Sequence, residues 1–286
     1  MDYVTLANGI KMPQLGYGVY QVSKEECTRC VLDALDVGYR LIDTAQSYFN
    51  ESEVGEAIAQ SPVKREDIFL TTKVWIEHYG YEEAKKSVLL SLEKLQTSYL
   101  DLVLLHQPFA DYYGAYRALE DLYKEGKLRA IGVSNFSSDR LVDLASFCEI
   151  PPMVNQVETH PLNQQQDAHR WMEKYHVQHE AWAPFGEGRG NMFTNAVLAE
   201  IAASHGKTIP QVILRWQLQR GIVIIPKSTH KERMQQNFDV FDFTLTDEEM
   251  QSIAALDTKT SAFFSHRDPN MVEWFVKMVE ERKGKA

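Results

Sequence analysis

Apolar residues in this chain come in short runs that stop abruptly on polar or large aromatic side chains. Leu41-Ile42 runs into Asp43, and similar strand-like runs span Ile68–Lys73, Leu100–His106, Ala130–Ser134, Val154–Glu158, His179–Trp182 and Val223–Lys227. Between them lie helical patterns at Ser52–Gln60, Tyr81–Leu95, Tyr113–Glu125, Asp139–Cys148 and Asn163–Tyr175. The connection before the last strand holds two helices, Val197–His205 and Pro210–Arg220. Thr208 is placed to cap the second, with Pro210 in its first turn. Ser23-Lys24-Glu25-Glu26 reads as a capping box opening a helix to about Val37, and Gly38 ends it. One further strand near Gln14–Gly18 makes eight, each followed by helix.

Such alternation predicts a parallel sheet covered by helices. Eight units in 286 residues fit an α/β chain folded as a single (β/α)8 TIM barrel domain over residues 1–286. Tyr3–Leu6 and Ile10–Pro13 flank Asn8-Gly9, a hairpin signal, and this N-terminal β-hairpin is expected to plug the barrel bottom. Extra C-terminal helices complete the prediction. A doubly wound fold would need Gly-x-Gly-x-x-Gly after an early strand. Gly16-Tyr17-Gly18 lacks the third glycine, and the Gly186–Gly190 run comes late and misses the pattern.

Composition narrows the function. The formal charge of −10 does not suit nucleic acid or an anionic membrane as a partner, though it leaves room for a local basic pocket. No run approaches the ~18 apolar residues of a membrane span, and the first residues do not read as a secretory signal. The 3 cysteines give no disulfide framework, so a reducing, cytoplasmic setting is expected, and few predicted surfaces look like an obligate interface, so a monomer is expected. Cys27 and Cys30 form a C-x-x-C inside a predicted helix with no second pair, which reads as two ordinary helix cysteines.

In a barrel of this type the active site lies at the C-terminal strand ends. Those ends carry Asp43, Lys73, His106, Ser134-Asn135, Gln156 and Glu158, Trp182 and Lys227-Ser228, and Tyr48 follows Asp43 in a short loop. A carbonyl carbon accepts hydride when its oxygen is protonated or polarised. Tyr48 could supply the proton, and an ammonium such as Lys73 would lower the phenol's pKa from its usual ~10. Asp43 could hold Lys73, and His106 could orient the substrate oxygen. No metal is required. Taken singly, each residue reads as a cap, packing or a solvated charge; together their roles fit one another.

Asp43, Tyr48, Lys73 and His106, in GYRLIDTAQSYFNE, FLTTKVW and LVLLHQP, resemble the catalytic tetrad of the aldo-keto reductases. The resemblance continues in order through AIGVSNF, VNQVETHP and LRWQLQRGIVIIPKST to Arg233 and Asn237. It is nearest to the compact bacterial branch of 2,5-diketogluconate and methylglyoxal reductases. It implies NADPH lying extended across the barrel mouth. Ser134, Asn135 and Gln156 would hold the carboxamide, and Trp182 would stack on the nicotinamide. Ala183, Phe185 and Gly186 would pass beside the pyrophosphate. Lys227, Ser228, Thr229 and Arg233 would meet the 2′-phosphate, with Asn237 near the adenine. Independently of the resemblance, cations and hydroxyls before a helix make an anion site, the local basic pocket.

The substrate pocket departs from the family pattern at Gln107, which follows the histidine where tryptophan is frequent, and at Tyr20; Trp75 keeps an aromatic wall. With a short loop from Pro108 to Asp111, these residues predict an open, rather polar pocket for small carbonyl substrates such as 2-oxoaldehydes, keto-sugars and simple aldehydes. Phe263–Arg267 could roof that pocket or dock on the barrel wall. Two rival readings are an NADPH-binding regulatory subunit without turnover and a metal hydrolase using Asp43, His106 and His160. The intact tetrad counts against the first. Lys73 and the lack of His-x-His spacing count against the second.

Overall fold

The computed structural model describes residues 1–283. Strands β1 (Tyr3–Thr5) and β2 (Lys11–Pro13) pair antiparallel across the Asn8-Gly9 turn. Eight strands then follow in parallel neighbour order: β3 (Tyr17–Gly18), β4 (Leu41–Asp43), β5 (Phe69–Val74), β6 (Leu102–Leu105), β7 (Ile131–Ser134), β8 (Val154–Glu158), β9 (Gln178–Trp182) and β10 (Val223–Ile224). The sheet closes on itself at a seam. Leu15 bridges Ile224 in parallel, Gly16 N donates to Ile224 O at 2.7 Å, and Ile224 N donates to Gln14 O at 2.9 Å.

Close packing on both sides of this first strand explains the early glycines. A Cβ on Gly16 would stand 2.3 Å from Leu41 Cδ2, and one on Gly18 would stand 2.9 Å from the Ile225 carbonyl oxygen. Gly-x-Gly here permits close strand approach.

Between the strands run α1 (Lys24–Val37), α2 (Glu51–Gln60), α3 (Tyr81–Lys94), α4 (Tyr112–Lys124), α5 (Ser138–Phe147), α6 (Gln166–Lys174), α7 (Ala196–His205) and α8 (Ile209–Gln219). After β10 come α9 (Lys231–Phe238), α10 (Asp247–Ala254) and α11 (Pro269–Lys283). Alternate strand residues serve two cores. Ile42, Leu70, Val103 and Val133 face the helices, with Cys27 and Cys30 of α1 buried in the same layer. Leu41, Phe69, Leu102, Leu104 and Val154 fill the barrel, and Leu6 and Met12 of the hairpin pack with them. The hairpin is the expected plug. Among the described residues no helix is long and apolar enough to cross a membrane.

Three local expectations are corrected. Helix α1 begins after Ser23, but the serine makes no side-chain capping bond, because its hydroxyl engages the Glu25 carboxylate. By contrast, Thr208 and Gln211 form a complete capping box on α8. Helix α6 starts at Gln166 and not at Asn163, whose backbone pairs with that of His160, and Gln165 just before the helix has φ 53°. The last strand ends at Ile224, short of Lys227, since Pro226 has no N–H to give a ladder.

Candidate active site

Strand register brings the polar strand ends into one ring. Asp43 stands beside Thr71, Lys73 beside Leu104, Ser134 beside Gln156, and Gln156 beside Glu180. Lys73 is fully buried and donates to Asp43 Oδ1 at 2.5 Å, to Thr44 O at 3.0 Å and to Tyr48 Oη at 3.3 Å. Gln156 Nε2 donates to the other Asp43 oxygen at 2.9 Å. The His106 ring lies 5.7 Å from Tyr48 and 5.0 Å from Trp75, with its Nδ1 3.4 Å from Ser47 Oγ.

Electrostatics sharpen these roles. Burial alone would push the Lys73 ammonium down; Asp43 and Tyr48 outweigh it and hold it above its ordinary value. Burial, then Lys73, His266 and Arg282, keeps His106 well below its usual range, a neutral imidazole near pH 7. Tyr48 departs from expectation. Lys73 does pull its pKa down, but burial is the larger effect, with Asp43 adding to it, and the phenol is pushed up to about 12. The lysine limits the rise and does not reverse it.

Asp43, Tyr48 and His106 line a cavity of about 720 Å³, with Lys73 buried behind them. Tyr20, Trp75 and Gln107 line it, as do Ser134, Asn135, Gln156, Trp182, Ala183, Phe185 and Lys227. Gly186, Ser228, Thr229, Arg233 and Asn237 lie outside its lining. Asn135, at φ 65°, links the nearby strand ends: Nδ2 donates to His106 O at 3.0 Å, and Oδ1 accepts from Trp182 Nε1 at 2.8 Å. Ser134 Oγ donates to Gln156 O at 2.8 Å. Ser228 is turned inward on a local bond with His230 N at 3.1 Å. The exposed Lys227 and Arg233 side chains have no ion-pair or hydrogen-bond partner among the described residues. Free cations beside the start of α9 are what an anionic group would require.

The expected openness of the pocket is corrected. The short loop after His106 leaves a gap, and residues from Phe263 onward fill it. Phe275 of α11 is buried against Phe109 at 5.3 Å and Trp75 at 5.9 Å. Phe263 packs on Trp182 at 5.2 Å. The tail is therefore a roof, and it adds aromatic side chains to a wall that also carries Gln107 and other polar groups. Glu158 ties the roof down, accepting from Ser261 Oγ at 2.5 Å, Ala262 N at 2.7 Å and the buried His160 at 2.9 Å. His160 is committed to that clamp. Among the described residues no group of three or more His, Cys, Asp or Glu side chains could hold a metal.

Two features escaped the sequence reading. Met271, Phe275, Met278 and Arg282 recur at three- and four-residue spacing, a helical face that could have been noticed. Glu180, two residues before Trp182, shares its inward parity. It is fully buried and its oxygens make no hydrogen bond of ordinary geometry. Burial, then the Asp43 charge, pushes its carboxyl up to about 8.

Folded protein thus keeps the Glu180 proton up to about pH 8, whereas the unfolded carboxyl releases it near 4.5. Stability should fall as pH rises through that window, by at most about 1.4 kcal/mol per pH unit. Glu180→Gln should flatten the fall, raising Tm more at pH 8.5 than at pH 5. Parallel Tm–pH curves for the two proteins would disprove the assignment.

Comparison with known proteins places this arrangement. The model of the aldo/keto reductase family matches residues 6–258. A glyoxal reductase of Bacillus subtilis strain 168 is 48% identical over 258 residues, 90% of this chain and 93% of that one. The methylglyoxal reductase DkgA of Escherichia coli K12 is 42% identical over 257 residues, 89% and 93% of the two chains. Among solved structures, the aldo-keto reductase MGS-M4 from a Medee basin deep-sea metagenome superposes with a TM-score of 0.91 at 45% identity, covering 93% of this chain and 98% of that one. A silkworm (Bombyx mori) aldo-keto reductase solved with NADPH has a TM-score of 0.88 at 33% identity, covering 92% and 90%.

Proposed function

The chain belongs to the aldo/keto reductase family, and from that premise we propose that it reduces small aldehydes and ketones with NADPH, Tyr48 giving the proton. NADPH, when bound, supplies hydride to the carbonyl carbon. The remaining work falls to the protein. Tyr48 protonates the carbonyl oxygen. Lys73, held by Asp43, offsets charge left on the phenolate. His106, as a neutral imidazole, directs the oxygen by hydrogen bonding. The observation that carries this reading is the buried ammonium held 2.5 Å from Asp43 and 3.3 Å from the Tyr48 hydroxyl, at the wall of a substrate-sized cavity.

Ser134, Asn135 and Gln156 would hold the carboxamide, with Trp182 against the nicotinamide. Ala183, Phe185 and Gly186 would border the pyrophosphate. Lys227, Ser228, Thr229 and Arg233 would receive the 2′-phosphate, and Asn237 the adenine. The unpaired Lys227 and Arg233 support NADPH over NADH. The glyoxal and methylglyoxal reductases among the relatives support 2-oxoaldehydes as substrates.

The test is NADPH- and NADH-dependent reduction of methylglyoxal by wild type and by Lys227→Ala/Arg233→Ala. Two lost charge-assisted contacts should raise KM for NADPH by about 10- to 100-fold and leave that for NADH nearly unchanged. Equal losses with both cofactors would show that the two cations do not read the 2′-phosphate.

A further inference from the structure

The roof of the cavity comes from sequence beyond the family match, which ends at residue 258. Within it, α11 sends Trp274, Phe275, Met278 and Arg282 to the cavity wall. Arg282 follows Phe275 by seven residues and Met278 by four, so all three share one helix face. Its guanidinium lies 5.1 Å from the Phe49 ring and 5.3 Å from the Trp75 ring. Stacking satisfies only the face of a guanidinium; its N–H donors point outward in the plane. Arg282 Nη1 is buried and has no partner among the described residues. Trp75 Nε1, His266 Nε2 and Gln107 Oε1, which belong to other residues lining the same cavity, are also buried and unpartnered. A buried, unpaired polar group costs stability unless a ligand or water completes it. Here several such groups meet around one space, with donors in excess and a fixed positive charge.

We propose that Arg282, with Trp75 Nε1 beside it, binds a carboxylate on the substrate. This deepens, and rests on, the reductase reading, and it names the substrate class as short carbonyl compounds bearing a carboxylate. The His106 and Trp75 rings are 5.0 Å apart, and Arg282 stands 5.3 Å from the same indole. The guanidinium therefore borders the same aromatic wall as the candidate catalytic imidazole, which suits a compound with a carbonyl at one end and a carboxylate at the other. The acidic protein as a whole does not attract such an anion, so recognition depends on the local cation.

The test pairs succinic semialdehyde with butanal, a neutral aldehyde of equal chain length, under saturating NADPH. Arg282→Met should raise KM for succinic semialdehyde by about 10- to 100-fold, leave its kcat within a few-fold, and leave butanal unchanged within about twofold. Arg282→Lys should recover part of the loss. Equal loss with both aldehydes, or none with either, overturns the proposal. A second readout needs no turnover: quenching of tryptophan fluorescence by 4-hydroxybutyrate in the NADP+-loaded protein. If neither aldehyde is reduced but this binding weakens in Arg282→Met, the reductase reading fails and the anion site stands. Binding unaltered by the substitution overturns the anion site.

Discussion

Tyr48→Phe should reduce kcat for methylglyoxal by about 10²- to 10⁴-fold while NADPH binds as before. The ring would stay where it is, packed 5.0 Å from Tyr20 and 5.7 Å from His106. Only the hydroxyl and its 3.3 Å contact with Lys73 disappear. The loss should appear in kcat more than in KM, because protonation matters only as charge builds on the oxygen. His106 is neutral and cannot supply a strongly acidic proton in its place. Stopped-flow oxidation of bound NADPH would measure the step, and a titration of cofactor fluorescence would establish that binding survives. Turnover at wild-type rate would eliminate Tyr48 as the acid.

The second large effect concerns stability as well as rate. Lys73→Met should destabilise the protein by about 3–5 kcal/mol, because it leaves Asp43 charged, buried and unpaired. Asp43 would retain the Gln156 amide at 2.9 Å, which is no substitute for an ammonium at 2.5 Å. Turnover should fall too, since nothing would then offset charge on Tyr48. A second substitution separates the two effects. Asp43→Asn in the Lys73→Met background removes the stranded charge and should recover much of the urea midpoint. It should recover none of the activity. If the single and double variants unfold at the same urea concentration, the pair is not the electrostatic unit described here.

The chain's alternation of short apolar runs with helical patterns was enough to read the barrel, because strands buried on both faces between helices and interior are apolar throughout. Strands β4 and β8 fall where expected to the residue. Asp43, Lys73 and His106 were visible for the same reason: each ends an apolar run with inward parity. The roof was not legible. Its apolar spacing marks a helix but does not say which surface the helix meets, and only the packed chain brings Phe275 onto Trp75. The direction of the Tyr48 shift was also beyond reach, since it depends on burial outweighing a lysine, a balance set by three-dimensional enclosure. Glu180 is legible from its parity with Trp182, but its lack of a partner is set only by the packed interior.

The seam between Gln14–Gly18 and Val223–Ile224 has a consequence for how the chain is made. The first barrel strand waits for a partner about two hundred residues downstream, which at ~5–20 residues per second takes roughly 10–40 s to leave the ribosome. Through that interval Leu15 and Tyr17, both buried in the finished fold, belong to an edge with only β4 beside it. The four candidate catalytic residues have all been synthesised by residue 106, long before the sheet that holds them can close. Closure is a long-range pairing and sets a slow folding step. The nascent chain should therefore be most vulnerable to aggregation and proteolysis while it already carries every residue of its chemistry.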